Sequence, residues 1–149
     1  IEVVVRNVAA GSLLKKTTFK EGHIMARPIV EFYYKDDSMG DPMINDSHAL
    51  AMKIATEKDM KTLRQMAEKI NSILKPFFLK RKMRLVDFKL EFGKDKKGMI
   101  MLGDEITPDT CRLWDSRTNT KLDKDRFRFD LGGVNEAYAE VRKRITGKA

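Results

Sequence analysis

The sequence predicts a single α+β domain over residues 1–149, in which helices flank an antiparallel sheet. Three observations predict this class. The chain opens on three consecutive valines at 3–5, and apolar residues recur every three or four positions over about 56–80. An alternating segment at 83–92 then precedes a glycine-containing turn and a second apolar run. The length of 149 residues is typical of one domain, and one sheet with a few helices forms an α+β layer structure.

The first part of the chain predicts two strands, each followed by a turn. Residues 1–6 form a buried strand because consecutive valines are stiff and β-branched. Ser12 then caps a short helix. Residues 28–34 form a second strand, with Pro28 at its first position, where a missing N–H is tolerated. The polar loop 35–42 follows and is rich in turn-forming residues.

The second part predicts a long helix, a hairpin and a final helix. Thr56 and Asp59 resemble a capping box at the start of the long helix, and Pro76 marks a kink near its end. Strands at 83–92 and 99–106 flank the glycine-containing turn and form a hairpin. The final helix carries apolar residues on one face: Val134, Tyr138, Val141 and Ile145.

The charge balance excludes some kinds of protein and favours others. A net charge of +8 and a pI near 9.6 favour an anionic partner, which can be nucleic acid, a membrane surface or a phosphorylated metabolite. No run of about 18 apolar residues is present, so no membrane-spanning segment is expected. The densest basic run, at 80–84, follows the long helix, where the helix dipole favours cations.

Cysteine and histidine usage indicates the compartment and the metal chemistry. The single cysteine, Cys111, cannot form a disulfide within the chain, which favours a reducing compartment such as the cytoplasm. Because no histidine is near it in the sequence, Cys111 is expected to be a small buried residue and not a nucleophile. Neither of the two histidines, His23 and His48, is near Cys111 in the sequence, so a zinc site of Cys and His ligands is not expected and a metal would be held by carboxylate oxygens. Trp114 is expected in the core.

The hairpin is the most informative candidate site. Its alternation places Asp87, Lys89 and Glu91 on one face of the strand, and a tight turn brings Asp104 near Lys89. The other face is apolar: Val86, Phe88, Leu90 and Phe92. Carboxylates around a lysine could bind a divalent ion that bridges nucleotide phosphates. A solvent-facing charged strand face explains the same pattern, and the pattern alone favours that simpler interpretation.

Two further groups of residues have a chemical interpretation. Arg6, a small-residue turn with Gly11 and the hydroxyl of Ser12 could together hold a phosphate monoester. A strand-to-helix turn with a capping serine explains them equally well. The aspartates of loop 35–42, including Asp41, could bind a metal or an amine, and an ordinary turn is the alternative.

Several strings in the right order resemble one known family. The segment Glu2–Ser12 has the pattern Glu-x-aliphatic-aliphatic-Arg-x-x-x-small-Gly-Ser, and Asp87–Gly93 has the pattern Asp-x-Lys-x-Glu-Phe-Gly. Further matching strings lie at 35–42, 103–109, 112–115 and 122–128. Together they resemble the phosphoribosylaminoimidazole-succinocarboxamide synthase, or SAICAR synthetase, family of purine biosynthesis over nearly the whole chain.

The resemblance implies a fold and an activity. Members join L-aspartate to the carboxylate of 4-carboxy-5-aminoimidazole ribonucleotide in an amide-forming ligase reaction that uses ATP and Mg²⁺. It also implies the C-terminal part of an ATP-grasp or kinase-like two-lobed fold. The N-terminal lobe that covers the adenine in the family is absent here, so residues 1–149 are expected to be the ribonucleotide- and Mg²⁺-binding domain. A homo-oligomer with small-molecule substrates, and no nucleic-acid or membrane partner, is expected.

The resemblance also implies a role for each matching residue. Those that grip the ribonucleotide 5′-phosphate are Arg6, Ser12 and Arg112. Those that hold Mg²⁺ around the ATP phosphates and the substrate carboxylate are Asp87, Glu91 and Asp104, of which Glu91 and Asp104 also bind the cofactor. Asp87 and Lys89 are the catalytic residues, and Lys89 stabilises charge during transfer. Asp41 lies near the metal-bound carboxylate. Weaker candidates for binding anionic substrate are Lys35, Lys124 and Arg128.

Two other functions stay open at this point. One is a basic nucleic-acid-binding module without catalysis, which needs clustered cations and exposed aromatic residues, whereas the basic residues here are dispersed. The other is an inactive fragment that only binds the ribonucleotide. Binding of the ribonucleotide and of ATP with Mg²⁺ distinguishes these functions from an intact ligase.

Overall fold

A computed structural model describes residues 1–147 of the chain. The strands are β1 (Glu2–Val8), β2 (Ile24–Tyr33), β3 (Met43–Ile44), β4 (Met83–Lys94), β5 (Ile100–Leu102) and β6 (Cys111–Asp115). The helices are α1 (Asp46–Ala51), α2 (Glu57–Leu79), α3 (Asp125–Arg128) and α4 (Val134–Thr146). Two short 3-10 turns lie at Gly11–Lys15 and Asp37–Met39. The predicted α+β class with an antiparallel sheet and flanking helices is confirmed.

Strand β1 lies at the centre of the sheet and sets its register. The strands run in the order β3-β2-β1-β4-β5, β6 also pairs with β4, and each of these pairs is antiparallel. Between β1 and β4, Arg6 lies opposite Asp87 and Glu2 lies opposite Glu91. Asp87 in turn lies opposite Arg112 of β6. Directly opposed residues lie close enough for their side chains to interact, so charged residues from three strands meet in one row.

The main core lies between the sheet and helix α2. The helix buries apolar residues at helical spacing: Met60, Leu63, Ala67 and Phe78. Thr56 and Asp59 form the predicted capping box, in which each side chain accepts a hydrogen bond from the other residue's backbone N–H. The helix continues through Pro76, and the kink stays a prediction. Trp114 is buried in a second, smaller cluster, which confirms its expected place in the core.

Two predictions about the first part of the chain are wrong. The first 3-10 turn begins at Gly11, one residue before Ser12, so Ser12 cannot be its cap, and no side chain caps it. Strand β2 begins at Ile24, so Pro28 lies inside it and not at its start. The strand tolerates Pro28 because the pairing with β1 shifts register in this region and β3 pairs only with the far end of β2.

Three details of the later strands also differ from expectation. A register shift between Leu85 and Asp87 turns Val86 away from Phe88 and into the smaller cluster with Trp114. Strand β5 ends at Leu102, because residues 105–110 instead form a turn closed by the Thr110 hydroxyl. Helix α1 and strand β3 have too few residues to give a periodic pattern and were not expected.

Helix α4 buries only part of the apolar face that the sequence predicts. Of the predicted apolar face of α4, Val141 is buried and Ile145 is exposed. Ala137, which the pattern did not single out, is buried beside Val141 on the helix.

Within residues 1–147, no helix has both the length and the apolar composition needed to cross a membrane.

A reciprocal pair of amide hydrogen bonds connects helix α2 to strand β1. Asn7 and Asn71 each donate an Nδ2–H to the other's Oδ1, at 2.8 and 2.9 Å, and both residues are buried. We expect Asn71→Ala to lower the free energy of unfolding by about 1–3 kcal/mol, because the buried Asn7 Oδ1 loses the Asn71 donor. The Asn7 Nδ2 keeps its 3.3 Å hydrogen bond to the Leu85 carbonyl. Urea denaturation measures the change.

The neighbouring variant Ser72→Ala is the control. The Ser72 hydroxyl is exposed and donates only to the backbone carbonyl of Lys69, so its removal should change the free energy of unfolding by less than about 0.5 kcal/mol. Equal effects of the two variants would contradict a special role of the amide pair.

Candidate active site

The candidate site is built on the row of charges that the register of three strands creates. Asp87 of β4 is 4% exposed and lies between Arg6 of β1 and Arg112 of β6. Nη1 of Arg6 donates to Asp87 Oδ2 at 3.1 Å. Nη1 of Arg112 donates to the same oxygen at 2.9 Å and to Oδ1 at 3.2 Å. Both oxygens of Asp87 are therefore used by arginines.

Two further acids hold the outer sides of the two guanidinium groups. Glu31 Oε2 accepts a hydrogen bond from Nε of Arg6 at 2.8 Å. Asp125 Oδ2 accepts one from Nε of Arg112 at 2.7 Å, and its Oδ1 accepts one from Arg128 at 2.8 Å. Acidic and basic side chains thus alternate along the row, and hydrogen bonds hold each of the two arginines from two sides.

Burial and neighbouring charges shift the pKa values of these groups in opposite directions. Burial raises the pKa of Asp87, although Arg112 and Arg6 act against that rise. Burial also opposes the ionisation of Asp125, but hydrogen bonds from Arg112 and Arg128 outweigh it and lower the pKa of Asp125. For Arg112, the charges and hydrogen bonds of Asp87 and Asp125 outweigh burial, so its pKa is raised and it stays charged.

A cavity of about 460 Å³ opens beside this row. The predicted site residues that line it are Arg6, Ser12, Asp87, Lys89, Arg112, Lys124 and Arg128. Ser12 reaches the row directly, because its Oγ accepts a hydrogen bond from Nη2 of Arg6 at 3.0 Å. Lys124 forms a 3.4 Å ion pair with Asp109 at the exposed rim. The structure therefore brings seven of the predicted residues to one cavity.

Lys89 lines the cavity and lies among several carboxylates. Its Nζ is 3.2 Å from Glu2 Oε2 and 3.3 Å from Glu91 Oε1. Burial opposes its charge, but the hydrogen bonds and charges of Glu2 and Glu91 outweigh this effect and raise the pKa of Lys89. Lys89 therefore remains an ammonium group at neutral pH.

Asp41 and Asp104 lie within electrostatic reach of Lys89 but do not line the cavity. Hydrogen bonding with Glu105 lowers the pKa of Asp104, and the charge of Lys89 lowers it further. The hydrogen bond from Lys35, and again the charge of Lys89, lower the pKa of Asp41. The hairpin thus brings Asp104 into the neighbourhood of Lys89, as its turn predicts.

Loop 35–42 is held together by its own charges. Nζ of Lys35 donates to Asp37 at 2.9 Å and to Asp41 at 3.0 Å. Asp41 also accepts a hydrogen bond from the backbone N–H of Asp36. Lys35 is therefore paired with acids of its own loop. It lies outside the cavity that the other predicted cations line.

The carboxylates do not form a closed metal site. Within residues 1–147, no group of three or more His, Cys, Asp or Glu side chains is arranged to hold a metal ion. Mg²⁺ commonly binds through one or two carboxylates and completes its shell with phosphate and water oxygens. The N–H of Gly103 donates to the Glu91 carbonyl at 2.8 Å, which places Asp104 beside β4, and the Glu91 carboxylate accepts a 3.3 Å hydrogen bond from Lys89. Asp87 differs, because its oxygens already accept from two arginines.

Cys111 lines the cavity but is not activated. The residue is buried, and burial raises the pKa of its thiol to about 12. The thiolate is the nucleophilic form of cysteine, so this thiol is unreactive at neutral pH. The prediction that Cys111 is a small buried residue is confirmed.

Sequence reasoning missed the acids that orient the arginines. Glu31 lies in the apolar strand β2 and accepts from both Arg6 and the hydroxyl of Tyr33. Asp125 belongs to a string that supported the family resemblance, but no role was assigned to it. A charged residue within an otherwise apolar strand is the signal that points to Glu31, because a buried charge needs a partner.

Comparison with known proteins decides the family. A family model described as SAICAR synthetase matches residues 1–145. This chain belongs to the SAICAR synthetase family. A phosphoribosylaminoimidazole-succinocarboxamide synthase of Chlorobium phaeobacteroides is 60% identical over 145 residues, which cover 97% of this chain and 61% of that protein. The chain therefore spans about three-fifths of the length of such relatives.

Solved structures of SAICAR synthetases share the fold. A SAICAR synthetase in complex with ADP superposes with a TM-score of 0.94 at 55% identity, over 98% of this chain and 62% of the other. The Saccharomyces cerevisiae SAICAR synthase complexed with SAICAR superposes with a TM-score of 0.76 at 25% identity, over 98% and 60% of the two chains. The family resemblance and the SAICAR synthetase-like fold are both confirmed.

Replacing Asp87, which pairs with both Arg6 and Arg112, tests how much the buried row of charges stabilises the fold. Asp87→Asn removes the charge between Arg6 and Arg112 and leaves two guanidinium groups with one partner fewer. We expect the free energy of unfolding to fall by about 3–5 kcal/mol, because breaking a buried ion pair leaves an uncompensated charge. Urea denaturation at pH 7 measures the loss.

Asp46→Asn is the matched control, because Asp46 pairs with Arg64 on the surface. Its effect should stay within about 1 kcal/mol, as for other exposed ion pairs. A loss at Asp87 no larger than the loss at Asp46 would show that the buried row does not stabilise the fold.

Proposed function

We propose that this chain is the ribonucleotide-binding part of an ATP-dependent ligase of de novo purine biosynthesis. The reaction joins L-aspartate to the carboxylate of 4-carboxy-5-aminoimidazole ribonucleotide and gives SAICAR. One observation carries the proposal: Arg6, Ser12, Arg112 and Lys89 line a single cavity. The relatives solved with ADP and with SAICAR support it.

Arg112 and Ser12 are the residues of the cavity that bind the phosphate in this proposal. Arg6 already donates hydrogen bonds to Glu31, Asp87 and Ser12. Because Ser12 accepts from Arg6, the hydroxyl proton of Ser12 is directed away from that arginine and can donate to a ligand. Arg112 adds charge-assisted donors, which bind phosphate oxygens strongly. Arg6 therefore holds Ser12, and Arg112 and Ser12 contact the phosphate.

Lys89 stabilises negative charge during the chemical steps. A carboxylate resists attack by an amine, so its oxygen first attacks the γ-phosphorus of ATP, which releases ADP and leaves an acyl phosphate. The amine of aspartate then attacks the acyl carbon and displaces phosphate. Because Glu2 and Glu91 keep Lys89 protonated, Lys89 acts as a fixed positive charge for the oxyanions and not as the base that takes the amine proton.

Glu91 and Asp104 are the residues that would hold Mg²⁺. A divalent ion held by these two residues would supply positive charge that offsets the charge of the ATP phosphates. Asp87 is proposed to act through the arginines that it orients, and Asp41 through the charge that it places near Lys89. Lys124 and Arg128 line the cavity and are candidates for binding the carboxylates of aspartate. Lys35 would have to break its ion pair with Asp41 to take part in that binding.

The nucleic-acid-binding alternative is not favoured. The arginines of the site are paired with acids, and Trp114 is buried and cannot stack on a base. A chain that binds the ribonucleotide without turning it over is the other alternative, and the two experiments below separate it from a ligase. The homo-oligomer and the cytoplasmic location stay predictions.

The first experiment measures whether the site recognises phosphate. We expect 5-aminoimidazole-4-carboxamide ribonucleotide to bind the chain at least about tenfold more tightly than the corresponding riboside, measured by calorimetry. Arg112→Lys should remove most of this difference, because lysine lacks the planar fork of donors. The exposed Arg142→Lys on α4 is the control and should leave it unchanged. Equal affinity of the unmodified chain for the two ligands would contradict the proposal.

The second experiment measures the role of Lys89 in turnover. With ATP, Mg²⁺, L-aspartate and 4-carboxy-5-aminoimidazole ribonucleotide, we expect Lys89→Ala to slow phosphate release by about 10²–10³-fold. Ribonucleotide affinity should change little, because Arg112 and Ser12, and not Lys89, are the proposed phosphate contacts. Lys61→Ala, on the exposed face of α2, is the control. No phosphate release from the unmodified chain would support a ribonucleotide-binding chain without ligase activity.

A further inference from the structure

The turn after β1 leaves no room for a side chain at Gly11. Its φ of +57° is rarely adopted by other residues. A Cβ added there would lie 2.5 Å from Nη2 and 2.6 Å from Cζ of Arg112, whereas ordinary contacts of this kind lie at 3.4–4 Å. The guanidinium of Arg112 therefore lies directly against the backbone of Gly11.

The guanidinium cannot yield easily, because two acids hold its other edges. Nε donates to Asp125 at 2.7 Å, and Nη1 donates to Asp87 at 2.9 Å. Nη2 is the nitrogen nearest to Gly11, and within residues 1–147 it donates no hydrogen bond. A side chain at Gly11 would displace the group by about 1 Å and would stretch the bonds to Asp87 or Asp125.

Ser12 brings a second donor to the same place. It follows Gly11 in the chain and lines the same cavity as Arg112. Its Oγ accepts from Nη2 of Arg6 at 3.0 Å, which fixes the oxygen and leaves its proton available. The Arg112 nitrogen without a partner and the Ser12 hydroxyl thus converge at the turn that Gly11 forms.

We propose that Gly11 is a positioning residue: its missing side chain lets the Arg112 guanidinium lie against the turn, so that Nη2 and the Ser12 hydroxyl converge on the 5′-phosphate of the ribonucleotide. The proposal rests on the proposed function, since it requires that function's phosphate ligand. A displacement of about 1 Å in a positioned group can cost about 10²-fold in function. Gly11 therefore sets the preference of the site for the phosphorylated sugar.

The test is a double-mutant cycle on the chain 1–149, with calorimetry of 5-aminoimidazole-4-carboxamide ribonucleotide. Gly11→Ala should weaken binding by at least about tenfold and leave the affinity for the riboside unchanged. Gly98→Ala is the matched control, because Gly98 has a φ of +79° and no atom within 4 Å of an added Cβ. It introduces comparable backbone strain without the clash and should change affinity by less than about twofold.

Arg112→Lys reveals whether Gly11 acts through the guanidinium. Lysine has no Nη2, so Gly11→Ala/Arg112→Lys should bind the ribonucleotide as Arg112→Lys does, within about twofold. A further loss in the double variant overturns the proposal, as does a Gly11→Ala single variant that binds normally. If Gly11→Ala alone does not fold, the comparison of Arg112→Lys with the double variant decides.

The outcome also separates this proposal from the one on which it depends. If the unmodified chain does not prefer the ribonucleotide to the riboside, the proposed function fails and the role of Gly11 fails with it. If the unmodified chain shows that preference and Gly11→Ala keeps it, only the role of Gly11 is overturned.

Discussion

At the centre of the sheet, arginines from two strands share one buried aspartate, and the loss of any member leaves a buried charge without its partner. Arg6 and Asp87 are 3% and 4% exposed. A buried ion pair contributes little net stability over apolar residues of the same shape, but breaking one costs several kcal/mol. The pair therefore favours one register: a slip of one residue would turn the side chain of Arg6 towards the apolar core. The core supplies the stability, and the charges select the arrangement.

The same row prepares the site before any ligand binds. Glu31 and Asp125 hold the outer edges of the two guanidinium groups, while Asp87 holds the inner edges. Fixing long side chains in advance reduces the entropy lost when a ligand binds. Among the described residues 1–147, Nη2 of Arg112 donates no hydrogen bond. The binding capacity of the cavity therefore depends on the donors that the acids do not use.

Local patterns made part of the site predictable, and register made the rest unpredictable. A period of two placed Asp87, Lys89 and Glu91 on one face, and the spacing of Thr56 and Asp59 gave the cap of α2, because both signals lie within a few residues. The pairing of Arg6 with Asp87 spans 81 positions and depends on the register between β1 and β4, which no local pattern gives. The residue pattern offered Arg6 and Ser12 as candidates for binding a phosphate, with an ordinary turn as the alternative, and the family resemblance added Arg112; the cavity brings all three together.

The net charge of +8 contributes less to recognition in this cavity than the direction of its donors. The lining contains the cations Arg6, Lys89, Arg112, Lys124 and Arg128 and the acids Glu2, Asp87 and Asp109, while Glu31 pairs with Arg6 and Asp125 pairs with both Arg112 and Arg128. The five cations are thus balanced by the five acids named. A diffuse positive field would attract any polyanion and weaken steeply with salt. Donors held in fixed directions instead favour a compact dianion of one shape, so affinity for the phosphate should respond more to a displaced guanidinium than to salt.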